Sequence, residues 1–183
     1  MTILDKIIAD KYIEVQLRKS ILPTTELVKY ALFNRDTISL SKCLQKSATG
    51  IIAEHKRRSP SKAIINNNLN VFDVAKGYEV AGVCGMSVLT DGKYFGGSVD
   101  DLLTARASCN LPLLRKEFII DEYQLLAAKA FGADVVLLIA ALLTRKEIKH
   151  FSEVAKKLGL EVLLEVHNEE EIQKSIMPSI DLL

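Results

Sequence analysis

From residue 50 onward, short apolar runs of strand length alternate with capped segments of helical period, one pair about every 25 residues. The runs fall near 51–54, 83–89, 111–114, 134–140 and 161–166. Between the last two, Thr144 to Leu158 reads as a helix. Thr144 and Glu147 form a capping box, Ile148, Phe151, Val154, Ala155 and Leu158 mark one face, and Gly159 ends it. Asp121 to Phe131, closed by Gly132, has the same form, with Tyr123, Leu126 and Ala127 along a face. Ser98 to Ala107 and Asp73 to Ala81 complete the set, and Asn168 with Glu171 opens one more helix. The run Val135-Val136-Leu137-Leu138-Ile139 is apolar on both faces, so the pattern predicts a parallel sheet covered by helices. Two architectures satisfy it, an open doubly wound sheet and a (β/α)8 barrel. No G-x-G-x-x-G or P-loop is present, which weighs mildly against the nucleotide-binding form of the open sheet.

Residues 1–48 lack the rhythm. Ile3 to Lys19 reads as an amphipathic helix ending before Pro23. Thr24-Thr25-Glu26 opens a second short helix, and Ser39 to Gln45 forms a third. No low-complexity linker follows, so the expectation is a helical extension over 1–48 and a partial (β/α)8 barrel over 49–183, together one domain.

Apolar residues make up 49% of the chain and charged ones 26%, the balance of a soluble globular protein. The formal net charge of +1 gives no electrostatic reason to expect nucleic acid or an anionic membrane. Charges at Asp5, Lys6, Asp10 and Lys11 interrupt any signal-peptide form, and no segment is an unbroken apolar span, so a cytoplasmic protein is expected. Cys43, Cys84 and Cys109 lack metal-ligand spacing. The latter two lie in apolar runs and are expected to be buried thiols in a reducing compartment.

Side chains alternate across a strand, so Ile52, Glu54 and Lys56 share one face, as do Leu114, Lys116 and Phe118, and Leu163, Glu165 and His167. Each strand begins apolar and turns ionisable at its C-terminal end, the end where a barrel assembles its active site. Two lysines and two carboxylates converging there would perturb one another and suit acid–base chemistry. Any one of the four, taken alone, reads as a solvated loop residue or half of a structural ion pair. Three strands in the same phase argue for a site. By the same alternation His55 points away from the mouth.

The segment Ile52-Ala53-Glu54-His55-Lys56-Arg57-Arg58-Ser59-Pro60-Ser61-Lys62 resembles the first-strand signature of the indole-3-glycerol phosphate synthases, which ends Glu-x-Lys-Arg and continues Ser-Pro-Ser. Further similarities follow in order: Leu89-Thr90-Asp91 with Lys93-Tyr94-Phe95-Gly96-Gly97-Ser98; Pro112 to Asp121 with Tyr123-Gln124; Gly132-Ala133-Asp134 with Leu137-Leu138-Ile139; and Leu163-Leu164-Glu165-Val166-His167. The resemblance covers residues 50–183 densely, and a helical extension ahead of them is a family feature.

The resemblance implies a (β/α)8 barrel and a carboxy-lyase of tryptophan biosynthesis. The reaction closes an indole ring on 1-(2-carboxyphenylamino)-1-deoxyribulose 5-phosphate, with loss of carbon dioxide and water and no metal or organic cofactor. Lys116 then matches the general acid at the ketone oxygen. Lys56 matches the lysine holding the substrate carboxylate and phosphate region. Glu54 and Glu165 match the catalytic carboxylates. Ser59 and Pro60 match the loop beside the phosphate, and Phe95, Phe118 and Leu137 the apolar walls around the anthranilate ring. Phe118 and Leu137 read equally well as plain core.

The sequence departs from the family pattern at Glu117, where Asp is usual, and at His55, Arg58 and Ala63, the last replacing a glycine and expected to stiffen the first loop. Ile180-Asp181-Leu182-Leu183 corresponds to the start of strand six, short of the family's later Asn, Glu-Ser-Gly and Gly-Ser segments. The expectation is that a polypeptide ending there is inactive or nearly so alone, and that it is a fragment of a larger gene product such as a pathway-enzyme fusion, an interrupted reading frame, or a piece that pairs with a complementing chain. The alternatives are an inactive barrel fragment serving as an assembly partner, and a barrel like phosphoribosylanthranilate isomerase. The latter requires a Cys/Asp pair where this chain has Glu-x-Lys.

Overall fold

The computed structural model describes residues 2–183. Three helices, α1 (Ile3–Ile21), α2 (Thr24–Leu27) and α3 (Leu40–Lys46), precede the first strand, with a 3-10 turn at Ala31–Asn34. Then follow β1 (Ile52–His55), α4 (Val71–Val80), β2 (Gly85–Leu89), α5 (Gly92–Phe95), α6 (Val99–Ser108), β3 (Leu113–Lys116) and α7 (Tyr123–Ala130). The described residues end with β4 (Val135–Ile139), α8 (Arg145–Lys157), β5 (Glu161–Glu165), α9 (Glu169–Ser175) and a short terminal segment. No helix among them is long and apolar enough to cross a membrane.

All four strand pairings are parallel and the spatial order is the chain order, β1-β2-β3-β4-β5. That order decides between the two architectures. A doubly wound sheet reverses direction at a switch point, whereas a barrel adds each strand beside the last. The two faces of the sheet confirm it. Met86, Val88, Leu113, Val136, Leu138, Val162 and Leu164 face outward into a core shared with the helices. Leu114, Val135, Leu137 and Ile139 face the other way, with Ile52 and Leu163, and pack on Leu40, Cys43 and Leu44 of α3. The strands form an arc of a (β/α)8 barrel whose N-terminal mouth is plugged by α3. Beyond β5, Leu182 makes a parallel bridge to Leu163, and the amides of Leu164 and Leu182 bond across at 2.9 and 3.0 Å, the position expected for a sixth strand.

Two carboxylates, one half-buried and one fully buried, hold the extension to this arc. Glu161, at the start of β5, accepts the N–H groups of Leu40 and Ser41 at 2.9 and 3.0 Å, placing a negative charge at the start of α3. Asp134 is 0% exposed. It accepts from Leu113 N at 2.8 Å, Ile38 N at 2.8 Å, Arg35 at 2.7 Å and Arg106 at 2.9 Å.

Several local expectations are corrected. The third strand lies at Leu113–Lys116 rather than 111–114, because Pro112 lacks an N–H for the ladder and contributes only its carbonyl, to Met86. The helix expected from Asp73 begins at Val71, because Asn70 caps Asp73 N at 2.9 Å. The first helix is not amphipathic as expected. Its buried stripe is Ile7, Lys11 and Val15, while Ile3, Ile13, Leu17 and Ile21 are exposed. Helix α5 and the 3-10 turn had no sequence expectation. The Thr144–Glu147 capping box, the glycine terminators at 82, 132 and 159, and buried Cys84 and Cys109 agree with the sequence reading.

Candidate active site

The C-terminal ends of the strands bring the ionisable residues together. Pairing sets Glu54 beside Ser87, Leu89 beside Lys116, and Ile139 beside Glu165, so the inward-facing charges rise to one rim. The Glu54 carboxylate takes the Lys116 ammonium at 2.9 Å through one oxygen and Lys56 at 2.9 Å through the other, and Ser87 Oγ donates to it at 3.2 Å. Burial pushes the Glu54 carboxyl upward, but the ammonium groups of Lys116 and Lys56 outweigh this and hold it below the usual glutamate range. It is an anion at neutral pH, bound by two cations.

Beside this triad lies a cavity of about 330 Å³ lined by Lys56, Pro60, Phe95, Lys116, Phe118, Leu137, Ile139 and Glu165. Glu54 sits behind the two lysines rather than on its wall. Glu165 reaches it from β5 and accepts a contact from His167 Nε2 at 3.1 Å. The Phe95 and Phe118 rings stand 5.9 Å apart, tilted by 39°. Leu137 serves two ends, since it belongs to the inner core and also floors the cavity.

Phe95 is delivered by α5, whose first turn is capped by Asp91 and whose end is set by Gly96 at φ +69. A side chain on Gly97 would meet Leu89 O at 2.0 Å, so only glycine allows the loop to fold this closely onto β2. Arg57 pairs with Asp101 and donates to Gly96 O at 3.0 Å, and Arg58 donates to Gly92 O at 2.6 Å and Lys93 O at 3.0 Å. The first loop thereby holds the α5 turn.

Ser59 is not brought to the cavity. It exchanges backbone hydrogen bonds with Lys62 at 2.9 and 3.1 Å, and its hydroxyl lies 3.2 Å from Ser61 Oγ. His55 faces the opposite side of β1 and is buried there. Burial, then Arg57, lowers its pKa, leaving a neutral imidazole. Sequence reasoning missed Ile139, which alternation from Leu137 places on the same face. It also missed Ile3, Leu4 and Ile7, which come over the cavity from α1 and carry no sequence signal for that placement. Among the described residues no three His, Cys, Asp or Glu side chains are grouped to hold a metal ion.

An arc of parallel strands with outer helices, carrying ammonium and carboxylate groups at the C-terminal strand ends, defines a protein of the (β/α)8-barrel class. Within that class, the family profile described as Indole-3-glycerol phosphate synthase matches residues 4–182, and the chain belongs to that family. The chain is 46% identical over 170 residues to an indole-3-glycerol phosphate synthase of Bacteroides thetaiotaomicron, covering 93% of this chain and 65% of that one. It is 39% identical over 178 residues to one of Bordetella pertussis, covering 95% and 68%. It thus spans about two thirds of the length of these curated relatives. Among solved structures, the carboxyl transferase domain from Rhizobium etli pyruvate carboxylase matches with a TM-score of 0.51 at 13% identity, covering 74% of this chain and 27% of that one. That likeness is one of fold alone.

Proposed function

We propose that the cavity catalyses the indole-3-glycerol phosphate synthase reaction, a carbon–carbon lyase step on 1-(2-carboxyphenylamino)-1-deoxyribulose 5-phosphate in the cytoplasm. The aromatic carbon bearing the carboxylate attacks the ketone carbon, the ring carboxylate leaves as carbon dioxide, and the resulting hydroxyl leaves as water. Lys116 donates the proton to the ketone oxygen. Lys56 holds the substrate carboxylate and takes part in the dehydration. Glu54 and Glu165 serve as base and as counter-charges to the cationic intermediates. Phe95, Phe118 and Leu137 enclose the anthranilate ring, and Pro60 flanks the phosphate. Residues 1–48 and 49–183 act as one domain.

One observation carries the reading: two ammonium groups share the Glu54 carboxylate at 2.9 Å each, at the edge of an aromatic-walled cavity of about 330 Å³. That size suits a small phosphorylated aromatic molecule. Phosphate sites in this class draw on the loops after strands seven and eight. The curated relatives extend beyond the span that this chain matches, so the activity is proposed for a full-length family barrel containing these residues. Indole-3-glycerol phosphate formation, followed by fluorescence, tests this. Turnover is expected from a completed family barrel that carries these residues. Absence of turnover in the completed barrel would refute the proposed reaction.

A further inference from the structure

Lys11 is the most deeply buried ammonium group described, 2% exposed, and it comes from the helix that precedes the barrel. Its Nζ lies 2.9 Å from Asp91 Oδ2, 3.0 Å from Glu117 Oε1 and 2.6 Å from Glu14 Oε2. Burial favours the neutral amine, but Glu117, Asp91 and Glu14 together overcome this and raise its pKa, so it is a cation. Removing water from such a group is costly unless it is fully paired, and here it is paired three times.

Two of those carboxylates have second tasks. Asp91 Oδ1 accepts the N–H groups of Tyr94 at 2.7 Å and Phe95 at 3.3 Å, which fixes the turn that carries the Phe95 ring. Glu117 Oε1 accepts the N–H of Phe118 at 3.0 Å, while Oε2 accepts Thr90 Oγ1 at 2.7 Å with Arg115 at 3.6 Å. Both aromatic walls of the cavity therefore hang, through one carboxylate each, on a single ammonium. One turn earlier on the same helix face, Ile7 lines the cavity itself.

We propose that Lys11 is a positioning residue that sets the gap between the Phe95 and Phe118 rings by holding Asp91 and Glu117. It deepens the proposed synthase reading without touching the reacting atoms. Glu117, one methylene longer than aspartate, is the arm that reaches Lys11 while still holding the Phe118 amide. The lysine acts on how the aromatic part of the substrate is bound rather than on the proton transfers.

Amide hydrogen exchange tests this without requiring turnover. In Lys11→Met, exchange at Tyr94, Phe95 and Phe118 is expected to accelerate by about tenfold or more relative to Val136 and Leu164 in the sheet core. Glu117→Gln, which keeps a hydrogen-bonding side chain, is expected to accelerate exchange at Phe118 and to leave Tyr94 and Phe95 near wild type. If Lys11→Met does not fold, this site-separated pattern in Glu117→Gln decides the matter. Unchanged local exchange, or a uniform rise across β2 to β4, would overturn the proposal. In a barrel that turns over, Lys11→Met is expected to raise KM about tenfold with kcat changed less than about threefold, as loss of uniform binding requires. A fall in kcat alone would also overturn it. The expected exchange pattern in the variants, together with no turnover by the wild-type barrel, would count against the synthase reading and not against the positioning role.

Discussion

Glu54 holds two ammonium groups on one carboxylate, at 2.9 Å each, and its charge offsets the repulsion between Lys56 and Lys116. Its folded pKa lies below the unfolded value of about 4.3, so its contribution to stability is complete above that pH and lost as pH falls through the lowered value. Urea melts of wild type and Glu54→Gln should differ at neutral pH, and the difference should shrink as pH falls below the usual glutamate range. A difference that persists in acid would show that the pairing is not the source. At this scale the sequence was informative where strand phase applied. Glu54, Lys56, Lys116 and Glu165 gather at one rim as expected, because period-two alternation fixes which side chains share a face. Ser59 was carried by family resemblance alone, and in the fold its loop turns it onto Lys62 and Ser61 instead. Lys11 escaped because a lysine in the middle of a helix reads as solvated until its three carboxylates, from two distant loops and its own helix, are seen around it.

Helices were legible wherever a cap marked them. Thr144, Ser98, Ser39 and Asn168 all accept the expected backbone N–H, whereas α4 begins two residues before the expected Asp73, because Asn70 and Asp73 are both good caps and it is Asn70 that accepts the N–H. Helix α5 is a single turn, too short for any hydrophobic period to register. The amphipathic expectation for α1 failed because its docking depends on an ion cluster and not on a continuous apolar stripe. What joins these elements is also testable. Asp134 links the segment before α3 to β3 and to Arg106 of α6, so Asp134→Ala leaves Arg35 and Arg106 facing an empty acceptor. The expected loss is about 3–5 kcal/mol in chemical denaturation, and a loss under about 1 kcal/mol would show that the arginines find other partners. Leu40 is wholly buried against the inner strand face. Leu40→Ala is expected to cost about 2–5 kcal/mol by opening a cavity at the barrel floor.

For the whole molecule, the alternation of strand and helix restricted the fold to two architectures, and strand order then selected the barrel. The strand and helix periodicity did not separate them, because both bury the same apolar strands between the same helices, and within the sequence only the family resemblance pointed to the barrel. They differ only in connection geometry, which no local pattern records. The barrel arc matters to function because it turns three separate strand ends toward one cavity, with α1 laid across the opening. The proposed role of Lys116, at the end of β3, is to deliver the proton that starts ring closure there. Its most direct test is the rate of indole-3-glycerol phosphate formation by Lys116→Met in a completed barrel. A fall of about 10²–10⁴-fold, with the variant folded and Glu54 unmoved, is the expected result for a lost general acid. Turnover within about threefold of wild type would contradict it.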